Sequence, residues 1–100
     1  MDHLGRNASP GNVALAAVMT GLARIFTAFD DAQERRGNWG SMLDNLRGGI
    51  HLIDAALPHL RTHGGPGVAT VIEMAEREVA FARLVDDDIV RITAGESTLG

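Results

Sequence analysis

Apolar residues recur along this chain at intervals of three and four, the period of one face of an α-helix. The first run is Leu15, Val18, Met19, Leu22, Ile25, Phe26 and Phe29, with Arg24, Asp30, Asp31 and Glu34 mostly off that face. It predicts a helix over 10–36. Ser9 is placed to accept from the free amides at its start, and Pro10 at the first helical position has no amide to leave unbonded. Gly37-Asn38-Trp39-Gly40 interrupts the run, because each glycine costs roughly 1 kcal/mol inside a helix. Whether residues 37–40 form a turn or a bend in one long helix is left open by the pattern.

The second run is the most regular. Leu43, Leu46, Ile50, Ile53, Leu57 and Leu60 alternate spacings of three and four without a break, predicting a helix over 41–61. Gly48-Gly49 weakens its middle. Pro58 kinks or ends it, since the ring removes the hydrogen bond back to Asp54. Thr62 to Gly67 reads as a loop, and a third helix follows over 66–92, with Gly95 placed to close it. Glu73 with Arg77 and Asp87 with Arg91 stand four apart with the acid first, favourable on a solvated face. Residues 1–8 and 96–100 are expected to be flexible ends. No segment reads as a strand or a repeat. The expected fold is a single all-α domain: a three-helix arrangement built on a hairpin of the second and third helices, with the first packed across it or continuing into it.

Composition narrows the function. The chain has 100 residues, 45% apolar and 22% charged, an ordinary globular mix. Folding at this length buries little more than ~60% of the unfolded surface, so the core is small. Without cysteine, neither disulfides nor zinc–thiolate sites can supplement it. Nine arginines, no lysine and thirteen acids give a net charge of −4, with no basic patch for nucleic acid or an anionic membrane. The longest uncharged stretch, Asn7 to Ala23, contains Pro10 and Gly11 and stops at Arg24, short of the ~20 apolar residues of a membrane helix. Asp2 offsets Arg6, so the start does not read as a secretory leader. The expectation is a cytoplasmic protein with no membrane segment.

Candidate chemistry is sparse. His59 and His63 have the four-residue spacing of a metal-binding pair, but they straddle a helix end with no local glutamate and suit exposed histidines near the helix C-terminus. Asp86-Asp87-Asp88 point about 100° apart in a helix, with Arg83 and Arg91 as natural partners, so they read as a solvated acidic face. Gly64-Gly65-Pro66-Gly67 follows no strand and carries no lysine, so it reads as a connector rather than a phosphate loop. Trp39 reads as a cap on the core where two helices meet. No catalytic residue, cofactor or metal is expected.

Self-association is expected instead. The second helix carries its ladder plus Met42 and Leu52, and the third is apolar over more than one face. An apolar surface of several hundred Å2 marks a partner site. The expected interaction residues are Leu43, Leu46, Ile50, Ile53, Leu57, Phe81, Leu84 and Val85, joined in a homodimer that completes a four-helix-type bundle.

Three families share local patterns with the chain. Arg83-Leu84-Val85-Asp86-Asp87, followed by Ile92-Thr93-Ala94-Gly95, resembles the second helix of the dimerisation domain of sensor histidine kinases. Leu43 to Ile53, with Arg47 and His51-Leu52-Ile53, is similar to the first helix of that domain, so the likeness covers roughly residues 40–96. Near Gly37, where that family carries its phosphoacceptor, there is no histidine, and the resemblance therefore implies a dimeric hairpin without kinase chemistry, with a signalling protein as partner. Asp44-Asn45-Leu46-Arg47-Gly48-Gly49 resembles the active stretch of histidine-containing phosphotransfer domains, with Asp44 in place of the histidine. The alternative is an enzyme. Leu43, Leu46-Arg47, Ile50, Ile53-Asp54, Leu57 and Leu60 are similar to the opening helix of helical chorismate mutases, which implies a carboxylate-binding role for Arg47. His51 replaces an aspartate of that pattern, Gly64 an arginine, and no lysine is present.

Overall fold

A computed structural model describes residues 9–34 and 38–99. Its three helices among the described residues are α1 (Pro10–Glu34), α2 (Trp39–His63) and α3 (Val68–Leu99), with no strand among those residues. The described residues are all-α, and the first helix, ending at Glu34, and the second, starting at Trp39, are separate helices and not one bent helix; Gly37 lies outside the described residues.

Side-chain chemistry fixes the helix ends. The Asn12 amide donates to Ser9 Oγ at 3.1 Å, starting α1 at Pro10 as expected. Asn38 is extended and its Oδ1 accepts from the Ser41 amide at 2.7 Å, so α2 begins at Trp39, two residues before the expected start. Pro58 does not end α2. It lies on the exposed side, where water can satisfy the carbonyl it leaves free, and the helix runs on to His63 before the Gly64 amide closes on Leu60 O. Pro66 is not the first residue of α3. It precedes Gly67 (φ 95°) in a tight reversal that ends at Val68, the proline–glycine order of a type II turn. Gly95 does not close α3, which continues to Leu99. The expected flexible ends 1–8 lie outside the described residues, and 96–99 continue the helix.

The middle helix is α2, with α1 and α3 packed on its two flanks and touching each other over only a short stretch. Gly11 abuts the carbonyl of His63 while Gly21 abuts that of Gly49, so α1 and α2 run antiparallel. Ion pairs Arg61–Glu76, Asp54–Arg83 and Arg47–Asp86 set α3 antiparallel to α2. At the α1–α2 crossing, a Cβ on Gly49 would lie 2.5 Å from Gly21 O and 2.7 Å from Ile25 Cγ1. The absence of those Cβ atoms lets the two backbones meet. Val18, Ile25, Leu46, Ile53 and Leu60 fill the centre and are fully buried, each contributing roughly 1.5–3 kcal/mol of hydrophobic stabilisation. From α3, Ala75, Val79, Ala82 and Ile89 join them.

With Arg24 included, α1 is long and apolar enough to cross a membrane by length and composition alone. A core helix passes the same test, and α1 buries Val18, Leu22 and Ile25.

Candidate interaction face

The eight expected interaction residues separate into two groups. Leu46, Ile53 and Leu57 are buried in the core of their own chain, and Leu43, Ile50 and Val85 are half-buried against it. The ladder on α2 is therefore covered within the chain and is not an open seam. The reason is topological: a helix flanked on both sides has most of its apolar stripe enclosed. Phe81 and Leu84 differ, with 53% and 62% of their surface exposed.

These two residues are not alone. The Phe29 and Phe81 rings meet edge to face with centroids 5.2 Å apart, and Phe26 follows Phe29 at 6.4 Å. This chain of rings joins the surface of α3 to that of α1. Phe26 is 45% exposed, and Met19, two turns before it on the same stripe, is 53% exposed. Four side chains of roughly 200 Å2 each, about half exposed, leave on the order of 400 Å2 of apolar surface on α1 and α3, joined through the three rings at Phe26 and Phe81. That is about the size of the largest apolar patch on a typical monomer, a patch that is often functional. The α1 contribution was not expected from the sequence, although its signal is there. The run from Leu15 to Phe29 holds two stripes, Val18-Leu22-Ile25 turned inward and Met19-Phe26 on the rim.

Arg47, Arg61 and Arg83 are engaged in holding α2 and α3 together. Arg47 donates to both carboxylate oxygens of Asp86, at 2.7 and 3.0 Å. That hydrogen bond, with the negative charges of Asp86 and then Asp44, raises the guanidinium above its ordinary pKa. The arginine singled out by the mutase-like pattern thus has its fork filled by the protein's own carboxylate. Arg83 donates to Asp54 across the same seam. Arg83 and Asp86 of α3 therefore both take their partners from α2. Asp87 and Asp88 diverge from Asp86, and Arg91 pairs with Asp88 rather than with Asp87 four residues before it.

His59 and His63 are exposed near the end of α2, and no group of three or more potential ligands gathers for a metal among the described residues. A groove of about 540 Å3 runs along the other flank of α1, lined by Pro10, Val13, Ala17, Leu52, Ala55 and His59 among others. Its walls are small and apolar, with His59 at the edge. A second cleft, about 480 Å3, has Leu57 and Val79 between the Asp54–Arg83 and Arg61–Glu76 ion pairs. Trp39 is half-buried against the core at the start of α2. In comparison with known proteins, the chain matches no family, no curated protein and no solved structure.

Proposed function

We propose that this chain is a non-catalytic helical protein-interaction module, acting through the apolar face that Met19, Phe26, Phe81 and Leu84 form across α1 and α3. The observation that carries this reading is the continuity of that face through the Phe26–Phe29–Phe81 rings. Scattered exposed apolar side chains are ordinary on a protein surface, whereas a contiguous group bridging two helices is not. The engagement of Arg47, Arg61 and Arg83 by carboxylates supports it, since these three arginines serve helix pairing. The antiparallel α2–α3 hairpin is compatible with a regulator akin to phosphorelay scaffolds, working in the cytoplasm without a phosphoacceptor of its own.

A photo-crosslinking side chain at position 84, compared with one at the exposed Ala69, tests the reading. Adducts of defined mass from position 84 and none from 69 are the expected result. Absence of any adduct from position 84, in cells and in concentrated purified protein, would overturn it.

A further inference from the structure

The outer surface of α3 carries a short seam with a chemical order of its own. Arg77, Phe81, Leu84 and Asp88 are spaced four, three and four, so they lie along one stripe. Its centre is apolar and exposed, and its two ends carry opposite charges. The buried positions of α3, Ala75, Val79, Ala82 and Ile89, fall on the other side of the helix, so the stripe is directed away from the chain's own core. Arg77 has no ion pair among the described residues, and Asp88 holds only the neighbouring exposed Arg91.

Resting on the interaction reading above, we infer that the occupant of this face is a second copy of the same chain, seated antiparallel along α3 about a two-fold axis between Phe81 and Leu84. In a two-fold contact, if one residue meets a second, the second meets the first. Seating Phe81 on Leu84 of the second copy sets Arg77 on Asp88 of the second copy, and the axis repeats both contacts. The stripe is complementary to itself in this register. A parallel pairing sets Arg77 on Arg77 and Asp88 on Asp88. An antiparallel pairing shifted to put Leu84 on Leu84 sets Arg77 against Arg91 of the second copy. Both place like charges together, which destabilises a helix pair.

The flanks of the stripe agree with the same register. Ala80 is small, and Val85 and Ile92 lie on the edge nearest Phe81. Glu78 falls on the edge opposite to Asp87, so the two acids do not meet across the axis. A standard interface covers about 800 Å2 on each partner; the exposed parts of Phe81 and Leu84 supply roughly a quarter of it, and Ile92 and the stem of Arg77 extend it along the helix.

The test is a charge-swap cycle read by analytical ultracentrifugation over a wide concentration range, at low salt. Arg77→Glu and Asp88→Arg should each weaken the dimer about ten-fold, because each places like charges together twice. The double variant, Arg77→Glu with Asp88→Arg, should recover most of the loss. Leu84→Glu should give a monomer whose circular dichroism still reports a folded helical protein. A dimer that Leu84→Glu leaves intact, or single charge reversals that leave affinity unchanged, would overturn the seam. So would a native chain that stays monomeric at high micromolar concentration. If position 84 then still crosslinks to a different protein, the interaction reading survives and the second copy is eliminated. If it crosslinks to nothing, both fall.

Discussion

Exposure separates two leucine-type positions that look alike in the sequence. Ile53 and Leu84 both sit on apolar stripes at helical spacing, yet Ile53 is fully buried and Leu84 is largely exposed. A glutamate at position 53 would bury an unpaired charge at a cost of several kcal/mol, comparable with the whole 5–15 kcal/mol by which a domain is stable. Ile53→Glu, and equally Leu46→Glu, should therefore abolish the cooperative thermal transition seen by circular dichroism. Leu84→Glu should shift chain stability, measured by denaturation of the monomer, by no more than about 0.5 kcal/mol. A folded Ile53→Glu monomer would show that the ladder is not core. Periodicity made both stripes legible, since it depends only on which residues are apolar. What covers a stripe depends on how the neighbouring helices lie, and that is not written in the spacing. The same limit hid Met19 and Phe26, which the first-helix run merges with Val18, Leu22 and Ile25. The polar contacts were harder still. Asp54, Arg83, Arg47 and Asp86 find partners on another helix, whereas local spacing suggested only neighbours on the same one.

At the scale of the helices, three glycines give a graded test of packing. Each alanine substitution gains helix propensity of up to about 1 kcal/mol, and what the new methyl meets decides the sign. At Gly49 it meets the Gly21 carbonyl and Ile25 at the closest helix crossing, and overpacking of this kind costs about 1–3 kcal/mol. Gly49→Ala should lower the melting temperature. At Gly48 the nearest atoms belong to the end of the Arg24 side chain, which can move aside, so Gly48→Ala should be neutral or stabilising. Gly95 has no atom within 4 Å of an added Cβ and lies inside α3. Gly95→Ala should raise stability by a few tenths of a kcal/mol, less than the full propensity because the helix end is near. A loss at Gly95 in thermal melts would mean that the glycine does close the helix there. Helix number and order follow from the breakers, so they were readable. The ends moved by two residues where Asn38 took over as cap and where Pro66-Gly67 made a turn of its own. The seven-residue extension of α3 was not readable, because a lone glycine before a polar tail looks the same whether the helix stops or continues.

For the molecule as a whole, uneven packing predicts uneven protection. The chain measures 54 × 30 × 20 Å, and α3, with 32 residues, is about 48 Å long at 1.5 Å per residue, enough to set the longest dimension. It packs on α2 through Ala75, Val79, Ala82 and Ile89, and no residue from 90 to 95 is buried. By contrast α1 and α2 meet closely from Gly11 to Ile25. Local opening costs least where few apolar contacts hold a segment. Amide exchange of the dilute protein should therefore be slowest in α1 and α2 around Gly21 and Gly49, intermediate in the middle of α3, and fastest beyond Ile89. Raising the concentration adds a second measurement within the same experiment. Mass action stabilises whatever the second copy binds, so amides near Arg77 to Asp88 should slow beyond the rest of the chain if α3 is the seam. Protection that rises uniformly along the chain would point to a general gain in stability with no local seam. Protection that rises in α2 instead would place the contact on the flank of the helix already enclosed, and would require α1 or α3 to move away from it.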